Sequence, residues 1–378
     1  MSENTLTKGW KFEWLTTWDE VWTPSFLEQW KSWMEESPSA HVFFHPSIVR
    51  AWVGAYIAFS NIQPRFLIAR FDSDCTVFMP LILMKNNWKN AWQRSILPVG
   101  YSDFDYHDPI MSGNCSLRSP TPSAYGDAIT WTSFWEAFDK ELTKTWRNSY
   151  DVVIVDGLRQ DYIPDSLPHT AIDICPYIDL SSFQSSEEFL LSLKGKQRGD
   201  ILRQRRRLEE QGTLKHYVFG GHEIEAAMNI LPEILAEHTR KWPKSYKAPG
   251  FHENLIKYGF SAGVLRMSEL RLNDEPISWH IGFLYQNRFY WYLPVYKPEF
   301  SQYSPGKLHL YLCIEDALSK GANIFDLLRG DESYKTGWTK ESISLFELRW
   351  QSRSMISSAR NLWIKEMKLL FRKITGRA

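Results

Sequence analysis

A turn, a helix and a short apolar strand follow one another between Tyr303 and Lys335, and this succession constrains the fold more than any other part of the chain. The turn holds Ser, Pro, Gly and Lys at 304–307, the helical pattern covers 305–320, and the apolar strand covers 323–328. A turn that opens a helix presents unpaired backbone N–H groups and the positive end of the helix dipole to an anion. Ionisable side chains cluster at the end of the strand and after it: Asp326, Arg329, Asp331, Tyr334 and Lys335. The succession therefore predicts that a phosphate-bearing ligand is held beside an acid–base group.

Composition limits the classes of protein that fit. At 378 residues, two domains are favoured over one. Lys plus Arg and Asp plus Glu both number 44, so the chain as a whole has no electrostatic bias toward nucleic acid. The 18 Trp, 17 Tyr and 22 Phe indicate either aromatic-rich cores or apolar grooves for a substrate, and both interpretations stay open.

The cysteines argue against a metal centre. Cys75, Cys115, Cys175 and Cys313 are widely spaced, without a CxxC motif or a neighbouring pair of histidines. We therefore predict no metal site and expect reduced core thiols. The sequence shows neither an apolar leader nor a run near the roughly 18 apolar residues of a membrane helix, so we expect a cytoplasmic protein.

The predicted elements follow the same order in both halves of the chain. Leu97-Pro-Val-Gly100 corresponds to Leu293-Pro-Val-Tyr296, and the segment 156–162 resembles 326–334. Two such pairs of similar segments, in the same order in both halves, favour tandem related domains. Hairpins mixed with helical crossovers indicate an α/β fold with mixed sheets. We predict three parts of the chain: a domain at 1–182, a second domain at 183–352 and a basic amphipathic helix at 353–378.

Three segments together resemble a known family. They are the strand 277–283, the turn 303–308 and the segment 325–335, and the basic helix 194–209 adds to them. The pattern is similar to the GNAT-fold acyltransferases, within them to the tandem-domain Fem-like branch that is often labelled after a cellulose-biosynthesis protein. The resemblance implies two tandem GNAT-like (acyl-CoA N-acyltransferase) domains, the first degenerate and the second catalytic.

The resemblance also implies acyl-CoA as the co-substrate. In that family the pantetheine arm lies where two central parallel strands splay apart, here 288–295 and 323–328, and the pyrophosphate lies on the following turn. The turn of this chain has one glycine where the family loop has two, which leaves room for another acyl donor. The implied cofactor-binding residues are Tyr292, Ser304, Gly306, Lys307, Leu308, Arg329 and Lys335.

The implied reaction is attack of an amine or hydroxyl on a thioester, which needs a base, oxyanion donors and an acid. We predict His280 as the base, because an ordinary histidine titrates near neutral pH. Asp331 is predicted to hold the base or the acceptor ammonium, and Tyr334 to protonate the leaving sulfur. The alternatives are a hydrogen-bonded core histidine and a salt-bridged turn that caps the sheet.

Two basic segments bear on the partners. The helix 194–207 carries seven Lys or Arg and one acid, either as a solvated face or as a landing surface for phosphates. No aromatic residue interleaves this run, so nucleic acid is disfavoured. The segment 355–378 places Ile356, Trp363 and Met367 on one apolar stripe among many cations. It is predicted either to lie on an anionic membrane surface or to dock on the protein's own core.

We therefore predict an acyltransferase that moves an acyl group from acyl-CoA to a small-molecule or lipid acceptor. The acceptor would be an amine or hydroxyl of envelope, polysaccharide or long-chain amine (sphingoid) type. An alternative within the superfamily is aminoacyl transfer from tRNA to a peptidoglycan precursor. An alternative from another class is a non-catalytic scaffold on a membrane surface. The expected location is the cytoplasm, peripheral on the inner membrane face.

Overall fold

The computed structural model describes residues 9–37, 39–58, 60–72, 75–86, 92–113, 115, 130–243 and 248–375, with side chains left out at 365 and 368–375. The chain divides into two compact units. Unit 1 comprises 1–49, 56–172 and 345–378, and unit 2 comprises 50–55 and 173–344. The domain limits drawn from the sequence, at 182/183 and 352/353, stay a prediction.

The described elements follow the α/β order. The strands are β1 (Trp10–Leu15), β2 (Ile62–Pro64), β3 (Phe66–Phe71), β4 (Cys75–Met79), β5 (Leu81–Lys85), β6 (Arg94–Pro98), β7 (Ile110–Gly113), β8 (Val152–Arg159), β9 (His169–Asp179), β10 (Leu214–Val218), β11 (Leu265–Leu272), β12 (Glu275–Tyr285), β13 (Arg288–Tyr296), β14 (Ile324–Asp326) and β15 (Ser342–Gln351). The α-helices are α1 (Trp18–Val21), α2 (Pro24–Glu36), α3 (Pro46–Tyr56), α4 (Trp131–Thr145), α5 (Ser186–Ser192), α6 (Gly195–Glu209), α7 (Ile224–Lys241), α8 (Phe251–Ser261), α9 (Pro305–Ser319) and α10 (Met355–Thr375).

Unit 1 contains an antiparallel sheet in the order β1-β3-β4-β7 and a mixed run β2-β5-β6-β8-β15. In the mixed run β6 and β8 are parallel, and the other pairs are antiparallel. Helix α4 begins at Thr130, whose hydroxyl accepts a hydrogen bond from the Ser133 N–H and so caps the helix. Its apolar face, including Trp135 and Phe138, belongs to the same buried core as Val153 and Val155 of β8.

Unit 2 carries a mixed sheet in the order β10-β11-β12-β13-β14-β9. Strands β13 and β14 are parallel, and the remaining neighbours are antiparallel. The β11–β12 hairpin turns at Asn273 and Asp274, whose positive φ angles of 51° and 67° suit the tight turn of a right-twisted hairpin. Helix α9 is apolar nearly all round, with Leu308, Tyr311 and Ile314 in the core of this unit.

The two pairs of similar sequence segments occupy matching positions in the two units. Leu97-Pro98 ends β6 and Leu293-Pro294 lies in β13, and each strand is the first member of a parallel pair. In the second pair, the segment 156–162 begins in β8 of unit 1 and the segment 326–334 begins at the end of β14 of unit 2. The predicted α/β fold with mixed sheets is confirmed.

The expectation of four reduced thiols is wrong for one pair of cysteines. Cys75 on β4 and Cys115, just beyond β7, form a disulfide. Strands β4 and β7 are neighbours, with Cys75 opposite Gly113, which brings the two side chains together across a separation of 40 residues. Cys175 and Cys313 are buried thiols outside this disulfide, as expected. Among the described residues no helix is long and apolar enough to span a membrane.

Candidate functional site

The two parallel strands of unit 2 separate after a short pairing. Strand β13 pairs with β14 over Arg288–Tyr290, and β14 ends at Asp326 while β13 continues to Tyr296. Beyond Asp326 the chain continues its pairing with β9 on the other side, with the Leu327 N–H donating to the Pro176 carbonyl at 2.9 Å. A gap therefore opens between the second half of β13 and the segment that follows β14, as the resemblance implies.

A pocket of about 440 Å³ occupies this region. Its lining comes from β13 beyond the divergence, the start of α9, the segment after β14, the start of α6 and the end of α7. Aromatic side chains form much of its wall: Trp242, Trp291, Tyr296, Tyr334 and Trp338. The other lining residues are Gln197, Lys241, Pro294, Val295, Ser301, Ser304, Gly306, Lys307, Leu310, Ser333 and Gly337.

The turn that opens α9 forms one edge of the pocket. Ser304 precedes the helix with φ 48° and makes no capping bond through its hydroxyl, so its side chain leaves the helix start open. A Cβ atom at Gly306 would lie 3.2 Å from the Tyr296 ring, which explains why the smallest residue stands at this close approach. The Lys307 ammonium lies 3.4 Å from Asp200 and lines the same edge. This edge combines a helix N-terminus with a cation, which suits an anion.

The opposite wall is a turn fixed by a buried lysine. Leu328 adopts φ 61°, a left-handed conformation that a side chain rarely takes, in the segment that follows β14. The Lys335 ammonium, 2% exposed as a residue, donates to the carbonyls of Leu328, Arg329 and Gly330 at 3.0, 2.8 and 3.2 Å. It also pairs with Glu332 at 2.8 Å. These bonds hold the loop that carries Tyr334 and Trp338 into the pocket.

Three polar side chains give the pocket its chemistry. Tyr334 is 43% exposed as a residue, and local desolvation of its hydroxyl, with a smaller effect of the nearby Glu332 carboxylate, raises its pKa. Partial desolvation lowers the pKa of Lys241, whose ammonium lies over the rings of Trp242 and Tyr296. The side-chain nitrogen of Gln197 is buried and has no hydrogen-bond partner among the described residues. A ligand carbonyl would satisfy that donor.

The structure does not place His280 in the pocket. Its imidazole is fully buried and stacks on the Trp291 indole at 4.2 Å, so the pocket lies on the far side of one side chain. Burial lowers its pKa well below the ordinary value, with smaller contributions from His216 and Arg266, which makes it a weak base. Its Nδ1 lies 4.0 Å from the Cys313 sulfur. The geometry favours the alternative interpretation of a core histidine.

The structure brings together four of the ten predicted site residues: Ser304, Gly306, Lys307 and Tyr334. Leu308 lies in the core, Arg329 pairs with Asp173 at 3.1 Å, and Lys335 is held by the carbonyls described above. Tyr292 packs on Phe283 and does not line the pocket, and Asp331 is exposed outside it. Arg329 and Lys335 fit the interpretation of a salt-bridged turn better than contact with a ligand.

The sequence reasoning missed the α7 and α6 contributions. Lys241 and Trp242 stand at the end of α7, and their only signal is a cation next to a large aromatic residue. Gln197 lies in the first turn of the basic helix α6, and the many cations of this helix drew the interpretation to charge rather than to the amide. Along α6, Arg203 and Arg205 form ion pairs with Asp200 and Glu209 within the helix, as a solvated face would.

The partly buried His216 and the buried His309 and Cys313 have their side-chain ligand atoms within 4.8 Å of one another. Ser278 donates to the Val295 carbonyl and so accepts from His309 Nδ1, while Ser268 donates to His309 Nε2, each at 2.9 Å. Both ring nitrogens of His309 are therefore occupied. A metal ion would have to displace a serine, so the arrangement fits a hydrogen-bonded core better than a metal centre.

Comparisons with known proteins agree with this geometry. Residues 195–336 match the profile of the family described as an acetyltransferase (GNAT) domain. This part of the chain is thus a GNAT domain, which confirms the predicted resemblance to the GNAT-fold acyltransferases.

The fold similarity extends over both units. The crystal structure of FemX matches 85% of this chain and 95% of its own at a TM-score of 0.57 and 9% identity. The C-terminal domain of a provisionally assigned lysylphosphatidylglycerol synthetase from Agrobacterium fabrum is also similar. The match covers 90% of this chain and 95% of that domain, with a TM-score of 0.51 and 11% sequence identity. A protein of unknown function from Bacteroides thetaiotaomicron matches over 85% of this chain and 96% of its own, with a TM-score of 0.50 and 11% sequence identity. These identities show the fold alone, and they agree with the predicted tandem GNAT-like architecture. A search of curated protein sequences finds no significant match.

Proposed function

We propose that the chain transfers an acyl group from acyl-CoA to an amine or hydroxyl acceptor of the cell envelope or of a lipid. The observation that carries this proposal is the divergence of β13 from β14, with an aromatic pocket in the gap and the α9 turn at its edge. A thioester donor of this kind needs a narrow apolar channel for its arm and an anion site for its phosphates.

The lining residues match the parts of such a donor. Lys307 and the start of α9 would meet the phosphates, and the aromatic walls at Trp291 and Trp338 would enclose the arm. The unpartnered amide nitrogen of Gln197 would donate to an amide carbonyl of the arm. Each contact uses a side chain that the pocket already presents.

The chemistry follows from the same residues. The acceptor nitrogen or oxygen forms a bond to the thioester carbon, the C–S bond breaks, and the acceptor's proton leaves to solvent. The Lys241 ammonium would stabilise the developing oxyanion. The Tyr334 hydroxyl, which is protonated at neutral pH like any phenol, would give its proton to the departing sulfur and regain one from solvent. No carboxylate or imidazole appears among the described lining residues, so the acceptor would react as the free amine or hydroxyl.

A lipid or envelope acceptor is supported by one fold neighbour, the lysylphosphatidylglycerol synthetase domain, whose name refers to a lipid. Aminoacyl transfer from tRNA to a peptidoglycan precursor is the second candidate. The basic helix α6 favours it, because its first turn contributes Gln197 to the pocket and its cations continue from there.

Calorimetric titration of acetyl-CoA, a long-chain acyl-CoA and free CoA into the protein tests the donor. Lys307→Glu should weaken binding of all three by about tenfold or more, because it reverses a charge at the phosphate edge. Lys320→Glu makes the same change on the exposed residue at the other end of α9 and should leave affinity unchanged. If none of the three ligands binds the wild-type protein, acyl-CoA is not the donor, and aminoacyl-tRNA or a scaffold role takes its place.

A further inference from the structure

Helix α10 is attached to unit 1 through polar side chains. The Ser357 hydroxyl lies 2.6 Å from an Asp151 carboxylate oxygen, and the Arg360 guanidinium donates to the other at 2.5 Å. Asn361 contacts Gln93 at 3.1 Å. Ser357 is fully buried, so this polar face is the side of the helix that packs on the protein.

The apolar face of α10 points away from the protein. Along the described side chains, Met355 is 88% exposed, Ile356 68%, Leu362 61%, Trp363 51% and Met367 45%. A soluble helix normally buries this stripe and leaves its polar side in water. Among the described side chains of α10 the apolar stripe does not pack on the protein's own core, and a row of large apolar side chains lacks cover.

The charge of the segment indicates what covers this face. Residues 353–378 contain seven Lys or Arg and one Glu, in a chain whose net charge is zero. Exposed Trp363 lies on the stripe, and Trp92, 65% exposed, precedes the Gln93 that contacts the helix. Tryptophan favours the interface between lipid headgroups and acyl chains, and cations favour anionic headgroups.

We infer that α10 lies in the plane of an anionic bilayer, with its apolar stripe among the acyl chains, because the net positive charge of residues 353–378 favours anionic headgroups. The helix of 21 residues would extend about 32 Å along the surface at 1.5 Å per residue. A protein groove would also cover an apolar helix, but the excess of cations and the two exposed tryptophans fit a lipid surface better. The inference concerns unit 1 and does not rest on the proposed acyl transfer.

Vesicle co-sedimentation of the full chain tests the inference, with phosphatidylcholine vesicles and with vesicles that contain phosphatidylglycerol. We expect binding to the anionic vesicles that falls as salt is raised. Trp363→Glu and Ile356→Glu should each reduce the partition constant by about tenfold or more, because an apolar side chain is replaced by a charge in the interface. Both positions are exposed, so the variants should fold. Leu191→Glu, at a residue 67% exposed in α5 of unit 2, is the matched control and should bind like the wild type.

Three results would overturn the inference. The first is the absence of binding to anionic vesicles, and the second is binding that the α10 variants leave unchanged. The third is a wild-type protein that self-associates in gel filtration with light scattering and becomes monomeric in Trp363→Glu, since a second copy would then cover the stripe. Circular dichroism of each variant confirms that α10 is still helical.

Discussion

The substitution Lys335→Met separates a turn-holding role of this lysine from the phosphate-binding role that the sequence suggests. The ammonium donates to three carbonyls at 2.8–3.2 Å and its residue is 2% exposed, so methionine keeps the stem and removes the donors. Hydrogen bonds from a charged group are worth about 1.5–3 kcal/mol each, and removal leaves buried carbonyls without partners. The bonds are not additive, and the variant no longer has to desolvate an ammonium. The expected loss is about 3 kcal/mol in the unfolding free energy of unit 2.

Urea unfolding measures this loss, which corresponds to a midpoint lowered by roughly 1–2 M. Hydrogen exchange should show the loss concentrated in residues 327–338. Lys340→Met makes the same change at an exposed lysine and should leave the free energy of unfolding within about 0.5 kcal/mol of the wild type. If Lys335→Met unfolds at the same urea concentration as Lys340→Met but binds CoA more weakly, the ammonium binds a ligand. That result would refute the turn-holding role.

Three further predictions follow from the titrating groups. Tyr334→Phe should lower kcat about a hundredfold with KM unchanged, because only the proton for the leaving sulfur is lost, and steady-state kinetics at pH 7 checks it. Burial lowers the pKa of His216 to about 4, so between about pH 6.5 and pH 4 the unfolded chain binds a proton that the folded chain does not, and stability falls on acidification. His216→Gln should flatten this dependence by up to about 1.4 kcal/mol per pH unit in urea unfolding, whereas His169→Gln at an exposed position should not, and equal slopes would contradict the assignment. Burial alone would raise the pKa of Asp151, but hydrogen bonds from Arg94 and a serine outweigh it and lower the pKa to about 2 from 3.8. The carboxylate thus contributes about 2 kcal/mol above pH 4, which is lost as the pH falls toward 2, and Asp151→Asn should remove it at pH 7 in urea unfolding of unit 1.

The parts of the site that are formed by one continuous segment could be predicted from local signals in the sequence. The turn at 304–307 contains the residues that break one element and begin the next, so its place at the start of α9 could be predicted. The hairpin at Asn273 and Asp274 is equally local. Lys241 and Gln197 reach the pocket from two helices far apart along the chain, and neither helix carries a periodic or motif signal for that approach. Only the packing of the helices on the sheet brings them together.

The placement of His280 shows why the sequence could not assign the base. Strand β12 is buried on both faces from Ile277 to Phe283, so the alternation of its side chains gives no sign of which face meets the pocket. The second half of β13 behaves differently. From Trp291 to Tyr296 buried and partly exposed residues alternate, beyond the point where β14 has left its side. A functional residue on a strand is therefore more safely sought where pairing ends and alternation returns, which is where Tyr296 lines the pocket, than in the middle of a fully covered strand.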